Sequence, residues 1–167
     1  MELDNQQDIC NREISWLAGI WEGEGWFSLH KTTPKGVIRY SVVCGLVNTD
    51  DKLIQKVCSI LKSLNIGHHI YTKNESELSR RHCYQMIIGG FKRVGKFIDI
   101  ILSHLHSSKK DRAQVLKDFI EYRIKVNKKT PYGEYEESLF QRARLLNGYN
   151  FSQRSSTTTR ETLSVKI

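Results

Sequence analysis

The chain has 167 residues, 39% of them hydrophobic and 26% charged, which suits one domain with a proper core. Against 18 Asp and Glu stand 26 Lys and Arg, a net charge of +8 that favours a polyanionic partner. The cations are spread along the chain instead of gathered in an arm, as on a folded surface that tracks phosphates, and no apolar run approaches the ~20 residues of a membrane span.

The first helix is predicted over Ile14–Glu24, and from Ile14 to Trp21 it carries no charge. At about 100° per residue, Ile14, Leu17, Ala18 and Trp21 make one apolar stripe. Ser15, Gly19 and Gly23 recur every fourth residue on the opposite side, a strip of small side chains that lets a second helix approach closely. Glu22 and Glu24 then fall at the C-terminal end, where they meet the negative pole of the dipole and unpaired carbonyls. Either this is a solvated helix end, or a divalent cation takes the carboxylate and backbone oxygens as ligands.

After Gly25, a strand is expected over Trp26–Thr32, a turn at Pro34-Lys35-Gly36 and a long strand from Val37 to Asn48, with Ile38, Tyr40, Val42, Cys44 and Leu46 inward. Thr49-Asp50-Asp51 caps a helix ending near Gly67. Strands follow at about His68–Lys73 and Arg81–Ile88, then a helix after Gly89-Gly90, one opened by Lys109 and a last one from about Glu134 to Leu146. The order gives an α+β fold, an antiparallel sheet with helices on one face and the other face free for a ligand.

Cys10, Cys44, Cys58 and Cys83 form no C-x-x-C pair and sit among apolar neighbours, so they are read as reduced core or strand residues. His104 and His106 diverge on a helix, and His68 and His69 point to opposite faces of a strand, so no histidine metal site is expected. The polar sheet face offers Ser28, His30, Thr32, Arg39, Ser41, Tyr71, Lys73, Arg81 and Gln85, with Val43 and Val47 able to meet thymine methyls. A β-ribbon fits the major groove, which makes double-stranded DNA the expected partner. The parity of the third strand stays open, since Ile70 is an alternative outward residue.

The run Leu17-Ala18-Gly19-Ile20-Trp21-Glu22-Gly23-Glu24-Gly25 resembles the nine-residue signature of the LAGLIDADG homing endonucleases, with Glu for Asp at both acidic positions. Leu146-Asn147 and the segment Gln153–Thr162, with Arg154, Thr158 and Arg160 set to grip phosphates, are similar to the C-terminal segment of single-motif algal organellar members. The resemblance implies the αββαββα fold with a curved antiparallel sheet, residues 1–167 as one domain, its core at about 12–127 and a C-terminal helix and tail at about 134–167. No second copy of the motif exists, so a homodimer is expected through Ser15, Gly19 and Gly23.

In function, the resemblance implies Mg²⁺-dependent double-strand cleavage of a long pseudo-palindromic site, Mn²⁺ being able to substitute, with 5′-phosphate and 3′-hydroxyl ends and short 3′ overhangs. Glu24 maps onto the catalytic acid, the Gly23 carbonyl onto a metal ligand, Asn48 onto a polar residue that orients water and Lys109 onto a lysine near the scissile phosphate. Lys110 and Lys52 are the neighbouring candidates, and Glu22 matches the more structural acid. An RNA maturase and a non-catalytic DNA-binding regulator on the same fold are the competing functions; neither a membrane nor a small-molecule substrate is expected. The first residues lack the Arg and Ser of a transit peptide, so the expected compartment is that of synthesis: chloroplast or mitochondrion for an organelle-encoded chain, otherwise cytoplasm or nucleoid.

Overall fold

The computed structural model describes residues 2–73, 82–126 and 130–148, with side chains at 11–72, 82–126 and 130–148. Helix α1 (Glu2–Glu24) runs straight into β1 (Gly25–Thr32), and β2 (Arg39–Asn48) follows a short 3-10 turn at Pro34–Gly36. Then come α2 (Asp51–Ser63), β3 (His69–Lys73), β4 (Cys83–Gly89), α3 (Phe91–Ile101), α4 (Ser108–Lys125) and α5 (Glu134–Leu146). This is the predicted order of elements.

The four strands lie in the order β1-β2-β4-β3, each antiparallel to its neighbour. Their register puts Phe27, Leu29, Val42, Cys44, Leu46, Met86 and Ile88 on one face, all buried. The helices pack on that face: α1 against β1 and β2, α2 and α3 against β2 and β4, α4 and α5 against β1. Trp21 anchors α1 there, its indole 4.4 Å from the Phe97 ring. Burying a side chain of that size stabilises the fold by roughly 1.5–3 kcal/mol or more. Among the described residues, no helix is long and apolar enough to cross a membrane.

Local chemistry sets the element ends. Asp50 accepts from the Lys52 and Leu53 N–H groups and starts α2; Ser107 accepts from the Lys109 N–H and starts α4. Gly25, the first residue of β1, has no room for a side chain, because an ideal Cβ would lie 2.5 Å from Trp21 Cγ. A glycine is therefore what allows helix to become strand with no connecting loop.

Several boundaries differ from those predicted, among them the end of α2, at Ser63 and not near Gly67. The first helix begins at Glu2, well before Ile14. β2 begins at Arg39, not Val37, because Lys35 (φ 52°) and Gly36 (φ 78°) turn the chain and the Val37 N–H is spent on the Pro34 carbonyl at 3.0 Å. Val37 and Ile38 consequently stand exposed, and Ile38 is not a core residue.

Candidate active site

Leu17, Ala18 and Trp21 are buried and Ile14 half-buried, so α1 gives one face to the core. Ser15, Gly19 and Gly23 lie exposed on the other. An added Cβ at Gly19 or Gly23 would meet nothing within 4 Å. The strip of small residues is therefore open along its length, flanked by His104, whose Nδ1 is 3.3 Å from the Ser15 hydroxyl.

At the end of the strip the two acids part company. The Glu22 carboxylate accepts from the backbone N–H groups of His106 (2.6 Å) and Ser107 (3.1 Å) at the start of α4. An anion at a helix N-terminus is favourably placed. Burial works against its charge, but bonds from Ser107 and His106 and the Lys109 charge outweigh that and hold its pKa below the usual carboxylate range. Glu24 is exposed and makes no hydrogen bond among the described residues.

Lys109, in the first turn of α4, returns the clasp. Its ammonium donates to the carbonyls of Trp21 (3.1 Å), Gly23 (3.4 Å) and, closest, Gly25. Burial and nearby Arg112 lower its pKa, opposed by Glu22 and Glu24. The negative end of α1 and the positive end of α4 thus meet, each carrying a side chain of the opposite sign to the pole that it faces. The Gly23 carbonyl and Lys109 are in contact, with Glu24 the next residue along the chain, so the cation that meets the helix-end carbonyls is the chain's own lysine. Lys110 and Lys52 stand exposed with no such contacts.

Asn48 ends β2 two residues past Leu46, the partner of Gly25. Its side-chain oxygen accepts from the Asp50 N–H at 2.8 Å, so that oxygen belongs to the turn into α2. Its amide nitrogen makes no hydrogen bond among the described residues and stays available to donate.

The sheet face away from the helices carries the predicted side chains. Pairing aligns Thr32 with Arg39, His30 with Ser41, Ser28 with Val43, and Val47 with Gln85 and through it Tyr71. His30, Thr32, Arg39, Ser41 and Tyr71 are exposed; Ser28 and Gln85 are half-buried. Lys73 follows Tyr71 on the same face by register. Arg81, Arg154, Thr158 and Arg160 lie outside the described residues. Ile70 points the other way from Tyr71 but is also 49% exposed, because β3 is the edge strand. Trp26, missed in the sequence, belongs to this face too, on the parity of Ser28 and His30 that already implied it. Cys44 and Cys58 are buried thiols whose pKa values burial raises, and Cys83 is half-buried on the outer face.

At the far end of β1 a second polar cluster fixes α5. Glu137 accepts from Lys31 (2.6 Å) and the Tyr40 hydroxyl (2.5 Å), and Arg123, only 7% exposed, donates to Glu136 at 2.8 Å. Glu136 also reaches back to the Gly133 N–H at 3.0 Å. The apolar periodicity of α4 and α5 gives no sign of these pairs.

Among the described residues, no three His, Cys, Asp or Glu side chains gather to hold a metal. One copy offers one free carboxylate beside main-chain oxygens. That donor set fits a hard cation completing its shell from another molecule, since Mg²⁺ typically takes one or two carboxylates and keeps water or phosphate for the rest.

The model of the LAGLIDADG-like domain matches residues 12–102. Among solved structures the chain is similar to the homing endonuclease I-CvuI in complex with the I-CreI target (C1221) in 2 mM Mg, with DNA not cleaved: TM-score 0.56 and 16% identity over 82% of this chain and 78% of that one. I-CvuI with its target Sro1.3 in 2 mM Ca gives TM-score 0.56 and 14% identity over 83% and 80%. The LAGLIDADG homing endonuclease I-GzeII in complex with its DNA target gives 0.52 and 18% over 80% of this chain and 43% of that one. These likenesses show the fold. Among curated proteins none matches.

Proposed function

The chain belongs to the LAGLIDADG-like family, and from that premise we propose that it is a site-specific, metal-dependent DNA endonuclease acting as a homodimer. The solved structures that it resembles are homing endonucleases bound to DNA targets. The observation that carries the reading is the unused Glu24 at the end of an open strip of small residues.

Packing that strip against its copy would bring two α1 helices side by side and both Glu24 carboxylates to the twofold axis. The outer sheet face of each copy would then enter a major groove, and a twofold protein asks for a pseudo-palindromic site. Glu24 and the Gly23 carbonyl would hold the metal, and Mg²⁺, for which Mn²⁺ can substitute, supplies Lewis acidity toward the phosphodiester and charge for the departing 3′ oxygen. Lys109 offsets charge that develops on the scissile phosphate. The free amide of Asn48 donates toward the water shell. One cut per strand leaves 5′-phosphate and 3′-hydroxyl ends on short 3′ overhangs.

The test is incubation of the full chain with a plasmid library of candidate sites, with and without Mg²⁺, alongside sedimentation with the cleaved DNA. Double-strand cutting at one long site, only with metal and by a dimer, is the expected result. Selective binding without cleavage would leave a regulator, and a species that stays monomeric on its DNA would remove the symmetric mechanism.

A further inference from the structure

Gly45 lies near the middle of the outer sheet face, and its four neighbours there are all apolar: Trp26 across on β1, Ile87 across on β4, and Val43 and Val47 two residues away on β2. The indole of Trp26 lies over the glycine. An ideal Cβ at Gly45 would be 2.9 Å from Trp26 Cζ2 and closer still to the Met86 carbonyl oxygen. A side chain at position 45 would lift the indole, so glycine makes an apolar plateau. Its four flanking side chains are half-buried and accessible.

The plateau has a defined place. Trp26 is two residues from Glu24, whereas Thr32 and its partner Arg39 are at the other end of β1, about 20 Å away at 3.3 Å per residue. Along a duplex that distance is roughly six base pairs at about 3.4 Å each. The face is thus divided: apolar next to the cleavage centre, and hydrogen-bonding (His30, Thr32, Arg39, Ser41) further out. Tyr71 and Gln85 border the plateau on the β3 side.

Aliphatic side chains have no donor for guanine O6 and N7 and no acceptor for cytosine N4, and they would leave those groups unpaired. The C5-methyl of thymine is the groove feature that they complement. Resting on the endonuclease reading above, we infer that Val43, Val47 and Ile87, on the plateau that the Trp26 ring completes, determine specificity by reading thymine methyl groups in the inner part of each half-site, while base hydrogen bonding is left to the outer part. The occupant is duplex DNA, for which the net charge of +8 and Arg39 further out on the same face provide the complementary field.

Sites selected from randomised duplex DNA by the full chain test this directly. The expected result is T·A-rich inner positions. Replacing those thymines with deoxyuridine, which lacks only the methyl, should weaken binding about fourfold per methyl buried, whereas the same exchange at outer positions should change nothing. Ile87→Ser and Val43→Ser, which remove the methyl groups, should reduce that fourfold discrimination, with unfolding midpoints showing the variants folded. A G·C-rich inner block, or equal affinity for thymine and deoxyuridine throughout, overturns the inference and leaves the endonuclease standing. A chain that selects no sequence removes both.

Discussion

Glu136 and Glu137 sit in the first turn of α5, and Glu22 and Glu24 in the last turn of α1. The α5 pair enjoys the positive pole of its helix and finds cationic or hydrogen-bonding partners within the fold: Arg123 and the Gly133 N–H for one, Lys31 and Tyr40 for the other. The α1 pair faces the wrong pole. Glu22 escapes by reaching the start of α4, and Glu24 does not. A carboxylate whose bonds are all made inside the chain holds the chain together. In the proposed enzyme, one left bare at a helix C-terminus would receive a cation from outside.

Exchanging the acids one at a time tests that division. Glu24→Gln should lower cleavage by about 10³-fold or more while leaving the thermal midpoint and DNA affinity near their original values. Glu22→Gln should do the reverse, losing about 1–2 kcal/mol of stability as its charge-assisted bonds weaken, with DNA still cut. Normal cleavage by the Glu24 variant would erase the distinction.

At the other end of the molecule, Glu136→Ala should cost about 3–5 kcal/mol in denaturant unfolding, because it strands Arg123 as a buried charge. Replacing both partners with Met and Leu should recover much of that loss. Gly19→Leu separates the two uses of α1. The monomer gains up to about 1 kcal/mol of helix propensity, with nothing within 4 Å of the new Cβ, whereas self-association should weaken at least about tenfold in sedimentation.

Much of this was legible in the chain. Period-two alternation placed the outward residues Ser28, His30, Thr32, Arg39 and Ser41 on one face, and the 3.6-residue period placed Leu17 and Trp21 in the core, because burial on one side leaves an unambiguous trace. The α1–α4 clasp was legible only in part. A family likeness brings Lys109 to the site, but nothing local marks its bonds to the carbonyls of residues 21, 23 and 25, which are made over more than 80 residues of chain. The buried Arg123 is hidden for the same reason: a charged residue on an amphipathic helix reads as solvated until its partner is in place. Val37 and Ile38 misled in the opposite sense, since β-branched alternation continued through a turn that spent the backbone bond needed for pairing.

The smallest expected effect is one of pH. The bonds from Lys31 and Tyr40 hold the Glu137 carboxyl at about 2, below its ordinary 4.5, against a smaller opposing effect of burial. A depressed folded pKa means that its contribution is complete above about 4.5 and is lost as pH falls through about 2. The acid limb of the thermal midpoint should therefore be shallower in Glu137→Gln than in the parent chain. With the side chain 36% exposed, water screens the pair and the difference should be modest.

The loopless passage from Glu24 to Gly25 has a genealogical consequence. Insert one residue there and every β1 side chain changes sides, sending Phe27 and Leu29 to the outer face and Ser28 and His30 into the core. A longer turn at Pro34–Gly36, beyond the far end of the same strand, disturbs neither face. Descendants of this chain are free to vary the length of that distant turn as they drift toward new targets, while the junction beside Glu24 is held to a single length.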